Sequence, residues 1–139
     1  MAVRSATAEW NGNLNEGHGT MGFGSFEGNY SFASRFEDGD GTNPEELLGA
    51  AHAGCFSMAL SAALAREGYD PQRVSTTSKV HLVKKDDKMT ITQIDLTVIG
   101  EVGGIDEETF KKFAEDTKEN CIVSRALNVD KMTVDARLV

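Results

Sequence analysis

A chain of 139 residues suits one compact domain spanning residues 1–139. Its 40% apolar and 26% charged residues are ordinary for a globular protein, and its formal net charge of −8 argues against a nucleic-acid binder, which needs a basic face. No apolar run approaches the ~20 residues of a membrane span, and the opening Met1-Ala-Val-Arg-Ser-Ala6 lacks the basic-then-apolar layout of a secretory signal; no membrane partner and a cytoplasmic, reducing setting are expected.

The first forty residues read as strands joined by glycine-rich turns. A strand should end near Trp10, followed by the turn chemistry of Asn11-Gly-Asn-Leu-Asn-Glu-Gly17. Tyr30, Phe32 and Ala33, with Ser34-Arg35-Phe36, predict a short aromatic strand that runs into the tight loop Glu37-Asp-Gly-Asp-Gly41. A helix follows. Asn43 is a good N-cap, Pro44 suits the first helical position, and Glu45 and Glu46 complement the positive end of the helix dipole. It should run to about Glu67, because Gly68 fits a left-handed cap and Pro71 cannot continue the helix. Its middle, Gly49-Ala-Ala-His-Ala-Gly54, and then Ala59, Ala62, Ala63 and Ala65 are small, which asks for a very close neighbour such as a second helix.

Val74 to Val83 is β-branched and alternating, Lys84-Lys-Asp-Asp-Lys88 is a polar hairpin turn, and Met89 to Val102 is the return strand. The apolar phase shifts between Ile91 and Ile94, which predicts a bulge near Thr92-Gln93. Asp106 should cap a second helix with Thr109, Phe110, Phe113, Ala114 and Thr117 on its inner side; Cys121 falls where that helix ends. The last strand alternates, with Met132, Val134, Ala136 and Leu138 facing one way. The expected order is β-β-β-α-β-β-α-β, an α+β fold.

The chemistry centres on two cysteines, Cys55 in the long helix and Cys121, 66 positions later. In a reducing compartment such residues are free thiols, metal ligands or a transient redox pair. Metal is the weakest of these readings. There is no Cys-x-x-Cys pair, His18, His52 and His81 show no ligand spacing, and His52 with Cys55 makes only two ligands on one helix face. The loop Asp38-Gly-Asp-Gly-Thr42 starts like a calcium loop but fails at Thr42 and Asn43.

A reactive thiol needs a cation or a helix N-terminus beside it. Cys55 lies twelve residues past the cap, beyond the reach of its own helix dipole. An arginine would have to serve, and Arg35, between Phe32 and Phe36, is the candidate ahead of Arg4 and Arg66. Glu45 stands ten residues before Cys55, ~15 Å along one straight helix, so it approaches a thiol only on an antiparallel partner helix. That would make a two-fold dimer. The plainer readings stand beside these: Cys55 as packing, Arg35 as a solvated strand residue, Glu45 and Glu46 as dipole partners, and His52 as a satisfied core histidine.

The stretches Arg35-Phe-Glu37, Gly41-Thr-Asn-Pro-Glu-Glu-Leu-Leu-Gly-Ala-Ala-His-Ala-Gly-Cys-Phe-Ser-Met-Ala-Leu60 and Cys121-Ile-Val-Ser124 closely resemble the OsmC family, which is related to the organic hydroperoxide resistance proteins. The resemblance extends to Ala8-Glu-Trp10 and Gly104-Ile-Asp106. Glu46, His52 and Ser57-Met-Ala-Leu60 favour the OsmC branch over its sister branch. It implies a thiol-dependent peroxidase on an intertwined α+β homodimer built around the long helix packed on sheets, acting in oxidative and osmotic stress defence. By position, Cys55 resembles the peroxidatic cysteine and Cys121 the resolving one. Arg35 resembles the arginine that holds the thiolate, and Glu45 the carboxylate that orients that arginine. The implied substrate is an organic hydroperoxide, reduced to its alcohol through a sulfenic acid and a Cys55–Cys121 disulfide. The implied reductant is an external dithiol, such as a lipoyl protein, with no metal, haem or flavin cofactor. Ile122 departs from the family, which usually has proline after the second cysteine and so stiffens that turn. Phe32, Phe36, Phe56 and Met58 are expected to line an apolar peroxide pocket. Two other functions compete: a thiol hydrolase using His52 as base for Cys55, and a non-catalytic stress or ligand-binding protein with buried thiols.

Overall fold

The computed structural model describes residues Met1–Val139. The fold is α+β, with two three-stranded sheets and four helices. The chain divides into two compact units, Met1–Leu47 and Leu48–Val139.

The first unit is a meander. Strand β1 (Thr7–Asn11) pairs antiparallel with β2 (His18–Phe23), which pairs antiparallel with β3 (Phe26–Tyr30). Glycines let the strands approach: a Cβ at Gly19 would run into the rings of Tyr30 and Trp10. The expected aromatic strand over residues 30–36 is not formed. The strand stops at Tyr30 and a one-turn helix, α1 (Phe32–Phe36), follows. The cause is polar, not aromatic. Ser31 and Ser34 form a reciprocal capping box, each side-chain oxygen accepting from the other's backbone N–H. Ser34 Oγ also donates to the Thr42 carbonyl, at 2.7 Å. Asn43 then ties the next helix to this turn: its Nδ2 donates to the Ser34 carbonyl and its Oδ1 accepts from the Glu46 N–H. Such a cap contributes about 1 kcal/mol.

Helix α2 (Pro44–Arg66) begins at the end of the first unit and continues into the second. It ends as expected: the Gly68 backbone is left-handed, φ +88°, and the N–H groups of Gly68 and Tyr69 close on the last turn. Contrary to the expectation from apolar runs, α2 is long and apolar enough to cross a bilayer by length and composition, with a mean hydropathy of 1.5. Its small residues carry that value. Three of its large apolar residues, Phe56, Leu60 and Leu64, are fully buried in a protein core, so α2 reads as a core helix rather than a span.

In the second unit, β4 (Asp70–Lys85) and β5 (Lys88–Gly103) form a long hairpin. Asp86 and Asp87 both have positive φ, the two-residue turn that matches strand twist. The register slips between His81 and Leu82, leaving Thr92 as the extra residue, so the expected bulge is present. Helix α3 (Glu107–Asn120) starts on the Asp106 cap, whose carboxylate accepts the Thr109 N–H at 2.7 Å. A second short helix not expected from the sequence, α4 (Ile122–Ala126), follows at once. Strand β6 (Lys131–Leu138) then pairs parallel with β5. A parallel pair needs a long crossover, and α3 with α4 supplies it.

The core of this unit is Phe56, Leu60 and Leu64 of α2, Ile94, Leu96 and Val98 of β5, Phe110 and Ala114 of α3, Ala136 of β6 and Cys121. The three large α2 side chains alone contribute roughly 5–9 kcal/mol by leaving water. This packing fixes the position of Cys121, which is 1% exposed.

Candidate active site

Phe56, Leu60 and Leu64 turn one face of α2 into the core, and Cys55 stands at the edge of that face, half-buried. Cys121 terminates α3 and opens α4. Its N–H donates to the Thr117 carbonyl, which ends the first helix, and its backbone is extended, φ −58° and ψ 132°. That is the conformation a following proline would impose. Ile122 therefore leaves the geometry of Cys121 as a proline would have left it. The two sulfurs lie 3.0 Å apart, within one unit.

Both sulfurs lie at the start of α4. The backbone N–H groups of Val123 and Ile122 favour a thiolate at Cys55. The N–H and hydroxyl of Ser124, with the Val123 N–H, do the same for Cys121. Burial and the neighbouring Cys121 thiol nevertheless push the Cys55 thiol above its ordinary value. Burial also opposes the Cys121 thiolate, but the hydrogen bond from Cys55 and the Ser124 donors outweigh it and hold Cys121 low. The pair titrates as a unit, with the first negative charge favoured on Cys121. No cation is among the groups acting on Cys55.

A cleft of about 530 Å³ opens beside the sulfurs between α2 and α3. Cys55, Cys121, Met58, Ala62 and Phe113 line it, with Arg66, Glu67 and Asp116 as its charged residues. Of the four residues expected to line a pocket, Met58 does so here. Phe56 is fully buried in the core and is unavailable. Phe32 and Phe36 belong to the first unit, where they flank Arg35 in a separate cleft with Trp10 and Tyr30.

Arg35 is in the last turn of α1 and Glu45 in the first turn of α2, and the Ser34–Thr42–Asn43 bonds hold these two turns together. Arg35 Nε and Nη2 donate to Glu45 Oε1 at 3.1 and 2.8 Å, and Nε also reaches Oε2 at 3.3 Å. Glu45 is thus more than a dipole partner. It is the buried half of the pair, with 10% of its side chain exposed against 38% for Arg35. The guanidinium lies over the Phe36 ring, 5.3 Å from its centroid. Three donors of its fork remain for another anion.

His52 does not serve Cys55. It is fully buried, and its Nε2 lies 2.7 Å from Ser124 Oγ. Burial pulls its pKa down, so the ring is neutral. Ser124 was within the Cys121-Ile-Val-Ser124 stretch, but nothing in the sequence marked it as a partner of His52.

A family model described as OsmC-like protein matches residues 37–136. The chain belongs to the OsmC-like family. It is 43% identical over 138 residues to the protein named peroxiredoxin OsmC of Escherichia coli, covering 97% of this chain and 96% of that relative. The fold is that of solved family structures. An OsmC-like protein from Mycoplasma pneumoniae superposes with a TM-score of 0.76 at 17% identity, over 99% of this chain and 98% of the other. An organic hydroperoxide resistance protein OsmC from Legionella pneumophila gives 0.71 at 24% identity, over 97% and 99%. The segment matched to the OsmC-like family holds Cys55, Cys121 and Glu45, whereas Arg35 lies two residues before it.

Proposed function

We propose that this protein is a thiol peroxidase that reduces organic hydroperoxides to alcohols in oxidative and osmotic stress defence. The identity to a peroxiredoxin over nearly the whole chain supports a peroxidase-type redox role. The observation that carries the finer reading is the 3.0 Å approach of two free sulfurs from residues 66 positions apart. Two thiols merely filling a core have no need to meet; a pair that cycles through a disulfide does.

The Cys55 sulfur, the more exposed of the two, attacks the terminal peroxide oxygen. The O–O bond breaks, the alkoxide takes up a proton and leaves as the alcohol, and Cys55 becomes a sulfenic acid. Cys121 then attacks the Cys55 sulfur, the hydroxyl leaves as water, and the disulfide forms. An external dithiol, such as a lipoyl protein, restores both thiols by exchange. No step calls for a metal or organic cofactor.

A reactive thiolate needs a positive charge, and no cation is among the groups acting on Cys55. We assign that role to Arg35, with Glu45 orienting the guanidinium so that its free edge meets the thiolate and the oxygen that becomes negative. We also propose a homodimer. The outward face of α2 carries Ala51, Gly54, Met58, Ala62 and Ala65, and Met58 is 78% exposed. A small, apolar helical stripe of this kind suits close packing against its copy. The cytoplasm is the proposed compartment, because a cycling dithiol needs a reducing pool. Against the hydrolase alternative, His52 bonds Ser124 and not Cys55.

The test is steady-state consumption of cumene hydroperoxide with a lipoyl dithiol as reductant. The wild type should turn over; Cys55→Ser should be inactive with an unchanged circular dichroism spectrum. Retention of most of the rate by that variant would remove Cys55 from the chemistry.

A further inference from the structure

The mechanism above uses both sulfurs but leaves one buried titratable side chain unexplained. His52 lies wholly in the interior of the second unit. Its Nε2 is bonded to Ser124 Oγ, and its Nδ1 has no partner at all. A polar ring without full satisfaction is costly in a core, where a Leu or Met would pack at no such cost.

The neutral ring carries one N–H. If it sat on Nδ1, a buried donor would be orphaned, the rarer and costlier fault. On Nε2 it donates to Ser124 Oγ and leaves only a lone pair unpartnered. That choice has a consequence for Ser124. With its oxygen accepting from His52, its hydroxyl proton is free to turn toward Cys121, three residues back at the cap of α4, whose thiolate it favours.

We propose that His52 and Ser124 form a buried hydrogen-bond relay that readies Cys121 to close the disulfide, His52 as a positioning residue and Ser124 as the donor to sulfur. The proposal rests on the peroxidase reading for its purpose but not for its geometry. In the closing step the Cys121 sulfur attacks the Cys55 sulfenic sulfur. The new S–S bond forms as the S–O bond breaks, and the departing hydroxyl takes up from solvent the proton that Cys121 released on ionising, leaving as water. Cys121 is oxidised and the sulfenic sulfur reduced by the same electron pair. The Ser124 hydroxyl stabilises the Cys121 thiolate before attack and stays protonated throughout. His52 keeps its proton and fixes the direction of the hydroxyl. The relay acts directly on Cys121, the attacking sulfur of the second step. The charged groups along the adjoining clefts are Arg66 at the end of α2, Glu67 after it, Asp116, Lys118 and Glu119 of α3 and Arg125 of α4; none hydrogen-bonds either sulfur, Ser124 or His52.

The relay is tested without peroxide. In a Cys55→Ser background Cys121 is the sole thiol, and its ionisation is followed by thiolate ultraviolet absorbance against pH. Adding Ser124→Ala should raise the midpoint by about one pH unit, the weight of one hydrogen bond to a charged group. His52→Leu should do the same, and His52→Gln, whose amide N–H can still reach Ser124 Oγ, should stay near the parent. In the protein with both cysteines, disulfide closure after a single hydroperoxide equivalent should slow ~10-fold in Ser124→Ala, with the first step not slowed. An unmoved midpoint in Ser124→Ala overturns the relay even if peroxidase turnover is intact. A His52→Gln midpoint that rises as far as that of His52→Leu overturns the positioning role of the ring. Because the titration requires no turnover, a failure of the peroxidase reading cannot be mistaken for a failure of the relay.

Discussion

Oxidising the protein with one equivalent of organic hydroperoxide should tie α2 to the α3–α4 junction and raise the melting temperature markedly. The sulfurs are 3.0 Å apart, so bond formation asks for a closing movement of only about 1 Å. The folded state therefore has little strain to absorb. The unfolded chain, by contrast, loses the freedom of a loop of 66 residues. Chain entropy for that length corresponds to about 4 kcal/mol at 25 °C. With the unfolding entropy of a chain of 139 residues, this amounts to a rise of roughly 10–15 °C. Differential scanning calorimetry of the reduced and oxidised protein at one concentration measures it, with Cys121→Ser as the control that should show no peroxide-dependent shift. An oxidised protein that melts at or below the reduced one would refute the reasoning, because closing the bridge would then be distorting the contact it is supposed to fit.

Four further outcomes follow from individual contacts. Arg35→Met should lower kcat/KM for hydroperoxide by ~10²-fold, the usual loss when a charge-stabilising donor is removed, and raise the alkylation midpoint of Cys55; Glu45→Gln should do the same more weakly, and an unchanged midpoint in both would mean another group activates the thiol. Ile122→Pro removes one of the N–H groups that favour the Cys55 thiolate while keeping a residue favoured at a helix start, so alkylation against pH should show the Cys55 midpoint move up with the fold intact. Asp95 accepts from Thr133, Gln93 and His81, and these bonds hold its pKa down at about 2; the sign is that of a depressed acid, so about 2 kcal/mol of stability is present above the ordinary value of 3.8 and is lost as pH falls toward 2, and urea titrations across that window should show Asp95→Asn losing the acid dependence. Gly100→Ala would drive a Cβ into the Phe110 ring and should cost about 1–3 kcal/mol by urea denaturation.

Local signals in the sequence reached the structure where one element decided its own conformation. Asn43-Pro44 and Gly68 bracket α2, Asp106 opens α3, and the phase shift at Thr92 marks a bulge. They failed where a distant partner decided. Phe32 and Phe36 looked like strand residues, but Ser31, Ser34 and the carbonyl of Thr42 turn that segment into a helical turn. That turn places Arg35 against Glu45. The parallel pairing of β6 also escaped, because alternation marks a strand but not its partner or direction, and so did α4, whose five residues are too few to show a period. At the site, family resemblance pointed to Cys55, Cys121, Arg35 and Glu45. The residues alone could not show that two cysteines so far apart would meet. The His52–Ser124 bond spans 72 positions and left no trace in spacing.

The central claim is that Cys55 and Cys121 act as one redox pair within a chain, and non-reducing peptide mass spectrometry after one equivalent of hydroperoxide tests it most directly. The expected product is a single Cys55–Cys121 cross-linked peptide, formed together with one equivalent of alcohol and returned to two thiols by a dithiol. A Cys55–Cys55 link between chains, or a sulfinic acid on Cys55 with Cys121 still free, would contradict it.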